Sequence, residues 1–444
     1  MESEGVYQRL LEMLGDALAR LPDRRQGKNR HYAMSDLGRA AFAVFFCQSP
    51  SFLAHQQLMQ QVRRNNNGRT LFGVEKLPSD NHVRSHLDGV DPRLLRPVFE
   101  GTLEYLKERE VLERFRSLGG TLLVAIDGTG YFSSEAISCP QCSVAHFPDG
   151  RTVYSHSVLM AAIVAPGGSH VLALEPEFIR PQDGKDRQDC EQQAARRWVA
   201  EVAPRYRELD LTLVGDDLYA TQATIRDVLQ GDMDFIFTAK EESHRYLYEE
   251  LASLQKLGEV HSLQRTRWTG KERQIWRYRW ANGVRLYNRD DSPNVNWVEL
   301  TIESEDGTRR YHIALISSHL ITEANVEEVV RAGRTRWKIE NEDFNTLKTK
   351  GYHFEHNFGH GKQFLAQTLL SLNLLAFLFH TVLELLDARC ALIRRTLPRR
   401  DTFFQHLSVL TQYLCFEGWQ QMMLFMLEGL KLLDPEAEAS SPSS

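Results

Sequence analysis

Thr121-Leu-Leu-Val-Ala-Ile-Asp127 and Leu211-Thr-Leu-Val-Gly-Asp216 are two short apolar runs, and each ends on an acid. Unbroken hydrophobicity over five or six residues marks a strand covered on both faces, as in the parallel part of an α/β sheet. A third acid, Glu340, closes the basic helical stretch Arg334-Thr-Arg-Trp-Lys-Ile-Glu340. Two acids at strand tips and one on a helix can meet at one point and hold divalent metal. Beside arginine and lysine, that constellation points to phosphodiester chemistry on a nucleic acid.

Working outward from the two runs, Thr152–Val164 and His170–Leu174 read as strands, with Pro166-Gly-Gly168 as the turn between them. Asp186–Leu209 reads as a long polar helix, Ala223–Gln230 as a shorter one, and Phe235–Thr238 as a strand ending at Lys240. The result is a mixed sheet with the first strand central and Asp127 and Asp216 on neighbours. Across 260–320 short strands follow at Trp276–Trp280, Val284–Tyr287, Val295–Ile302 and Tyr311–Ser317, with turns at Asn282-Gly283 and Asp306-Gly307. Helical periodicity returns in Val326–Lys350, Lys362–Leu386 and Phe403–Leu433.

The N-terminal part is helical: Val6–Leu21, Ser35–Cys47, a segment to Leu87 capped at Ser79 or Asp80, and a helix from Asp91-Pro92 to about Phe115. The basic loop Arg63–Arg69 lies between them. The expected division is an N-terminal helical domain over 1–118, a core in two parts (119–255 and 323–388) around a β-insertion (256–322), C-terminal helices (389–434) and a disordered tail (435–444).

Composition sets the outer bounds. A chain of 444 residues can bury a large core and more than one domain. No run of about 18 apolar residues is present, so no span is expected, and the most apolar stretch, around Leu369–Leu386, reads as a buried helix. Six cysteines in so long a chain do not form a disulfide framework, and with no signal-like N-terminus a cytosolic setting fits. The net charge of −6 argues against a general polyanion binder but leaves room for local basic stripes. One such stripe runs from Arg331 to Lys362, with seven basic residues against four acids.

At two of the acid positions a neighbour competes. Asp217 follows Asp216; alternation at a strand end lets only one face the metal, and Asp216 is preferred. Glu342 lies two residues from Glu340 and cannot share its face. Arg336 stands one turn before Glu340, either as an internal ion pair or as a phosphate clamp.

The ordered set Ile126-Asp-Gly-Thr129, Gly215-Asp-Asp-Leu-Tyr219 and Arg334–Lys348 resembles the DDE transposases of bacterial insertion sequences. The resemblance covers about residues 120–385. It implies an RNase H-like mixed α/β core, of the subgroup with a β-insertion between the second Asp and the Glu. It implies catalytic, metal-holding roles for Asp127, Asp216 and Glu340, with two Mg²⁺ or Mn²⁺ ions, and DNA contacts from Arg336, Lys348, Lys240, Arg334 and Lys338. Cleavage at transposon ends, joining of the 3′-OH to target DNA and a homodimer on DNA near the nucleoid also follow from it. In that subgroup a Tyr precedes the Arg, and here Gly333 occupies its place. The Lys is expected seven residues after the Glu, and here it lies eight after.

Further features stand outside that set. Cys139-Pro-Gln-Cys142, with His146 and His156 downstream, offers four soft ligands for a structural zinc, or else free thiols. His353, His356 and His360 form a second cluster, for metal, substrate contact or core hydrogen bonds. Trp268, Trp276, Trp280 and Trp297 crowd the β-insertion; they are core or cross-strand residues, or one of them stacks on a flipped base, as the resemblance implies. Asp80–Leu87 would present His82, Arg84 and His86 as a recognition helix, or else serve packing. Lys240 either touches DNA backbone or is simply solvated.

Overall fold

In the computed structural model, residues 5–23, 25, 31–60, 67–181 and 189–439 are described. One mixed sheet organises them. Its main strands are β1 (Thr121–Ser134), β2 (Ser143–His146), β3 (Thr152–Val164), β4 (Leu211–Gly215), β5 (Asp234–Thr238), β6 (His261–Trp268), β7 (Arg273–Arg285), β8 (Asn294–Ser304) and β9 (Arg309–Ser317). Their spatial order is β2-β3-β1-β4-β5-β9-β8-β7-β6. β4 pairs in parallel with both β1 and β5, and the other neighbours are antiparallel. The expected α/β class and the central place of the first strand both hold.

The apolar runs owe their composition to position. Every residue of Leu122–Ile126 and of Leu211–Gly215 is buried, because both faces of the inner sheet are covered. Helix α1 (Val6–Ala19) and α2 (Met34–Phe46) pack with α3 (Leu365–Leu386), which is buried along most of its length. Phe42 meets Phe379 edge-on at 5.2 Å and Phe46 lies 4.4 Å from His380. By length and composition α3 could cross a membrane, but its apolar surface is occupied by this core.

Several boundaries differ from expectation, for physical reasons. Trp276–Trp280 and Val284–Tyr287 belong largely to one strand, β7, and Asn282-Gly283 forms a bulge in it rather than a turn. Asn282 is held there by Ile321, accepting from its N–H at 3.0 Å and donating to its carbonyl at 2.9 Å. β6 was not expected at all: its residues are mostly exposed and polar, with Arg265 and Arg267 on one side and Ser262, Gln264 and Thr266 on the other, as suits a sheet edge. The four strands of the insertion continue the core sheet through the β9–β5 pairing.

Val326–Lys350 is not one uniform helix. Val326–Arg334 is α-helical, Thr335 and Arg336 form a turn, Trp337 and Lys338 are helical again, Ile339–Phe344 winds as a π-turn, and Asn345–Thr349 returns to α. The expected disordered tail begins with a helical turn, Pro435–Ala439, held by Arg389 through Glu436 and through Asp434 just before it. That guanidinium lies 2.9 Å from both Asp434 and Glu436. The rest of the tail, most of the basic loop after Arg63 and the expected start of the Asp186 helix lie outside the described residues.

Candidate active site

The β1–β4 register pairs Ala125 with Val214. Two residues further on, Asp127 and Asp216 stand side by side, on strands about 4.8 Å apart. Asp216 follows the last residue of β4, but Asp127 is not at the strand tip expected for it, because β1 continues to Ser134 and pairs Asp127 with Met160 of β3. Glu340 comes to the same end of the sheet on the π-turn, which packs against β1 and β3. Arg336 joins the acids: its Nη1 is 3.8 Å from Asp127 Oδ2 and 2.5 Å from Glu340 Oε1. Those two carboxylate oxygens therefore lie within about 6.3 Å of each other.

The electrostatics agree with this crowding. The Asp127 carboxyl is pushed up to about 7, first by burial, then by the charges of Glu191, Glu340 and Asp216, with Arg336 opposing. A carboxyl held that high marks a site where burial and neighbouring negative charge together outweigh what Arg336 neutralises. Oxygen donors with surplus charge are the donor set hard divalent cations prefer, so these residues fit such an ion.

Asp216 and Asp217 are now distinguishable. Asp217 is committed to structure, accepting from the Lys240 backbone N–H at 2.7 Å and from Ser243 Oγ at 2.5 Å, with His244 Nε2 at 3.3 Å. Among the described residues the Asp216 side chain accepts from the Leu218 N–H alone, at 2.8 Å.

A fourth acid, Glu191, was not singled out from the sequence. It opens the helix Glu191–Glu201 and accepts a hydrogen bond from the Tyr219 hydroxyl. Its carboxylate lies against Gly128, the residue after Asp127, where a Cβ would collide with it. Tyr219, three residues after Asp216, thus ties that strand end to the new acid, and burial with Glu191 raises its phenol far above the usual value. The only sequence signal was that Tyr at a fixed offset; its partner lies 28 residues away.

The basic residues separate. The Lys240 side chain is exposed. Arg334 stacks on Tyr311 at 4.6 Å and on Trp276 at 5.6 Å, beside an open cleft of about 410 Å³ shared with Arg331 and Trp337. Lys348 pairs with Glu355 at 2.9 Å. Lys338, which lines the same cleft, is mostly buried: its ammonium donates to the Gly168 carbonyl, and burial lowers its pKa. Gly333, standing where a Tyr was anticipated, has no space for a side chain: a Cβ would collide with Leu315 and lie 2.9 Å from Ile236 Cγ2.

The π-turn also bears on the spacing of Lys348. Such a turn holds one residue more than an α-turn. Lys348, eight residues after Glu340, therefore takes the angular place that the seventh would have in a plain α-helix.

Among the insertion tryptophans, Trp280 and Trp297 are core residues, Trp276 is half-buried under Arg267 at 4.3 Å, and Trp268 is exposed. His82 and His86 are partnered locally, His82 with Ser79 at 2.6 Å. Among the described residues, His353 and His356 do not converge with a third ligand. His360 instead meets Cys139, Cys142 and His156, whereas His146 lies apart, 3.1 Å from Thr152 Oγ1.

The family described as the transposase DDE domain matches residues 145–378, more than half of the chain. The chain belongs to that family. A search of curated proteins gives no match. As a transposase it acts on DNA, with chemistry that the family generally carries out with divalent metal ions. The matched span includes Asp216 and Glu340, and Asp127 lies upstream of it, joined to them by the β1–β4 register.

Proposed function

We propose that this transposase cuts DNA at transposon ends and joins the freed 3′-OH to target DNA, with Asp127, Asp216 and Glu340 as its metal-holding acids. The observation that carries the reading is the meeting of Asp127 with Glu340 across Arg336, beside Asp216 on the neighbouring strand. The β-strands between Asp216 and Glu340 support the insertion-bearing subgroup.

Two Mg²⁺ or Mn²⁺ ions held by these acids would supply Lewis-acid stabilisation of the attacking and leaving oxygens. The chain's own groups do the rest. Asp127 must give up its proton before it can ligate. Arg336 serves as internal counter-ion until substrate enters, then swings to a phosphate oxygen that matches its fork. Glu191 fixes the Tyr219 hydroxyl and keeps the two strand ends in register. Lys240, Arg334 and Lys348 line the approach for DNA backbone, Lys348 after leaving Glu355. Water is the nucleophile for cleavage and the 3′-OH for joining, so no covalent protein–DNA intermediate is required. Two ends need two active sites, which favours a homodimer on DNA, working beside the nucleoid in the cytoplasm.

The test is incubation of the full chain with DNA carrying transposon ends and Mg²⁺. Joined products are expected. Nicks without joining would mean a nuclease, and binding without cutting a catalytically inactive derivative; either outcome overturns the proposal.

A further inference from the structure

Cys139, Cys142, His156 and His360 each turn one ligand atom toward a common point, and these atoms all lie within 4.8 Å of one another. The four come from three parts of the fold. Both cysteines sit in the loop between β1 and β2. His156 is on β3, paired across from Phe132 of β1. His360 lies in the segment between the Glu340 region and α3.

The separations can be compared with those a tetrahedral ion imposes. Zinc–sulfur bonds of about 2.3 Å and zinc–nitrogen bonds of about 2.0–2.1 Å, at tetrahedral angles, place two sulfurs about 3.8 Å apart and a sulfur and nitrogen about 3.6 Å apart. The two Sγ atoms are 3.8 Å apart. His156 Nε2 is 3.5 Å from Cys139 Sγ and 3.6 Å from Cys142 Sγ, and His360 Nε2 is 3.5 Å from Cys142 Sγ. The same sulfur spacing excludes a disulfide, which requires about 2.05 Å.

The surroundings are those of a closed structural site. Cys142 and His156 are buried, and Cys139 and His360 half-buried. Tyr131 stacks on the His156 ring at 5.5 Å, and Phe132 lies 4.5 Å from the His360 ring. The turn between the cysteines is closed by the Cys142 N–H donating to the Cys139 carbonyl at 3.1 Å, and the Cys139 N–H points to Cys142 Sγ at 3.4 Å. Four protein ligands leave no open position, so the site is structural rather than catalytic.

We propose that these four side chains bind one Zn²⁺ ion, tying the β1–β3 hairpin that carries Asp127 to the segment that follows Glu340. Both cysteines bind as thiolates and their two protons pass to solvent. Tetrahedral S₂N₂ ligation selects zinc among the common divalent ions. The ion sits roughly 16 Å along β1 from Asp127, at about 3.3 Å per residue over the five residues to Phe132. It therefore stands apart from the acid cluster and acts as a brace, and its presence does not depend on what reaction those acids perform.

The experiment is metal analysis of the full-length chain as purified, without chelator. One zinc per chain is expected. Cys142→Ser, His156→Ala and His360→Ala each should lower it to below a tenth of an equivalent, while His146→Ala retains it in full. Cobalt exchanged into the site should give the visible absorption of a tetrahedral thiolate complex. A wild-type chain with less than a tenth of an equivalent, iron in place of zinc, or zinc lost in His146→Ala but kept in His360→Ala, would each overturn the assignment. The wild-type content decides the matter even where a variant fails to fold.

Discussion

Replacing Asp127 with Asn should make the metal-free protein more stable, even though it removes a proposed catalytic group. The carboxyl is held near 7 in the folded chain against an ordinary value of 3.8. A carboxyl raised on folding adds no penalty below its unfolded pKa. Stability is lost as pH rises from about 4 and the loss is complete once pH passes about 7. Three units at about 1.4 kcal/mol each give a ceiling of about 4 kcal/mol. The Asp127 side chain is 18% exposed. Solvent screening through that exposed edge reduces the expected gain to about 2 kcal/mol. The assay is denaturant unfolding of wild type and Asp127→Asn in chelator from about pH 4 to pH 8. The curves should coincide at the acid end and separate toward neutrality, with the variant more stable. Adding Mg²⁺ should narrow the gap, because an ion bound only by the native wild type stabilises it by mass action. Equal midpoints at every pH, or a variant less stable at the alkaline end, would refute the claim that these acids crowd one another.

Adjacent residues should respond differently. Asp217→Asn should cost about 1–3 kcal/mol by weakening its bonds to Lys240 N–H and Ser243, whereas Asp216→Asn should leave unfolding nearly unchanged and abolish DNA cleavage. Equal effects of the two on stability would reverse the choice between them. Arg336→Ala should lower cleavage by roughly 10–100-fold and reduce the salt dependence of DNA binding by about one phosphate contact; an unchanged salt slope with full activity would leave Arg336 as an ion pair and nothing more. Gly333→Ala should cost about 1–3 kcal/mol, since its Cβ meets Leu315 and Ile236, and thermal melting at wild-type levels would contradict the packing described there.

What the sequence revealed and what it hid divide along physical lines. The buried strands were legible, Thr152–Val164 and Leu211–Gly215 to the residue, because covering both faces demands unbroken apolar runs. Asp127 and Asp216 were legible because an acid at the end of such a run stands out. β6 was not, since an edge strand coated with Arg, Gln and Thr carries no alternation to read. Glu191 was hidden because what distinguishes it is a hydrogen bond to Tyr219 and contact with Gly128, neither of them local. The fourth member of the Cys139–Cys142–His156 cluster was hidden in the same way: spacing favoured His146, near in sequence, over His360, which lies 218 residues from Cys142. The π-turn left its trace only as one residue too many before Lys348.

The distance along the chain between Asp127 and Glu340 has a consequence for synthesis. Strand β1 and its acid leave the ribosome more than two hundred residues before the turn that completes the cluster. The Asn67 amide waits longer still, for the carbonyls of Thr411 and Leu414. On the proposed assignment of the acids, nascent or prematurely terminated chains lacking Glu340 would carry an incomplete site and cut no DNA. Contacts that span so much polypeptide form slowly, so a newly made molecule should pass through an inert interval before it can touch the genome that encoded it.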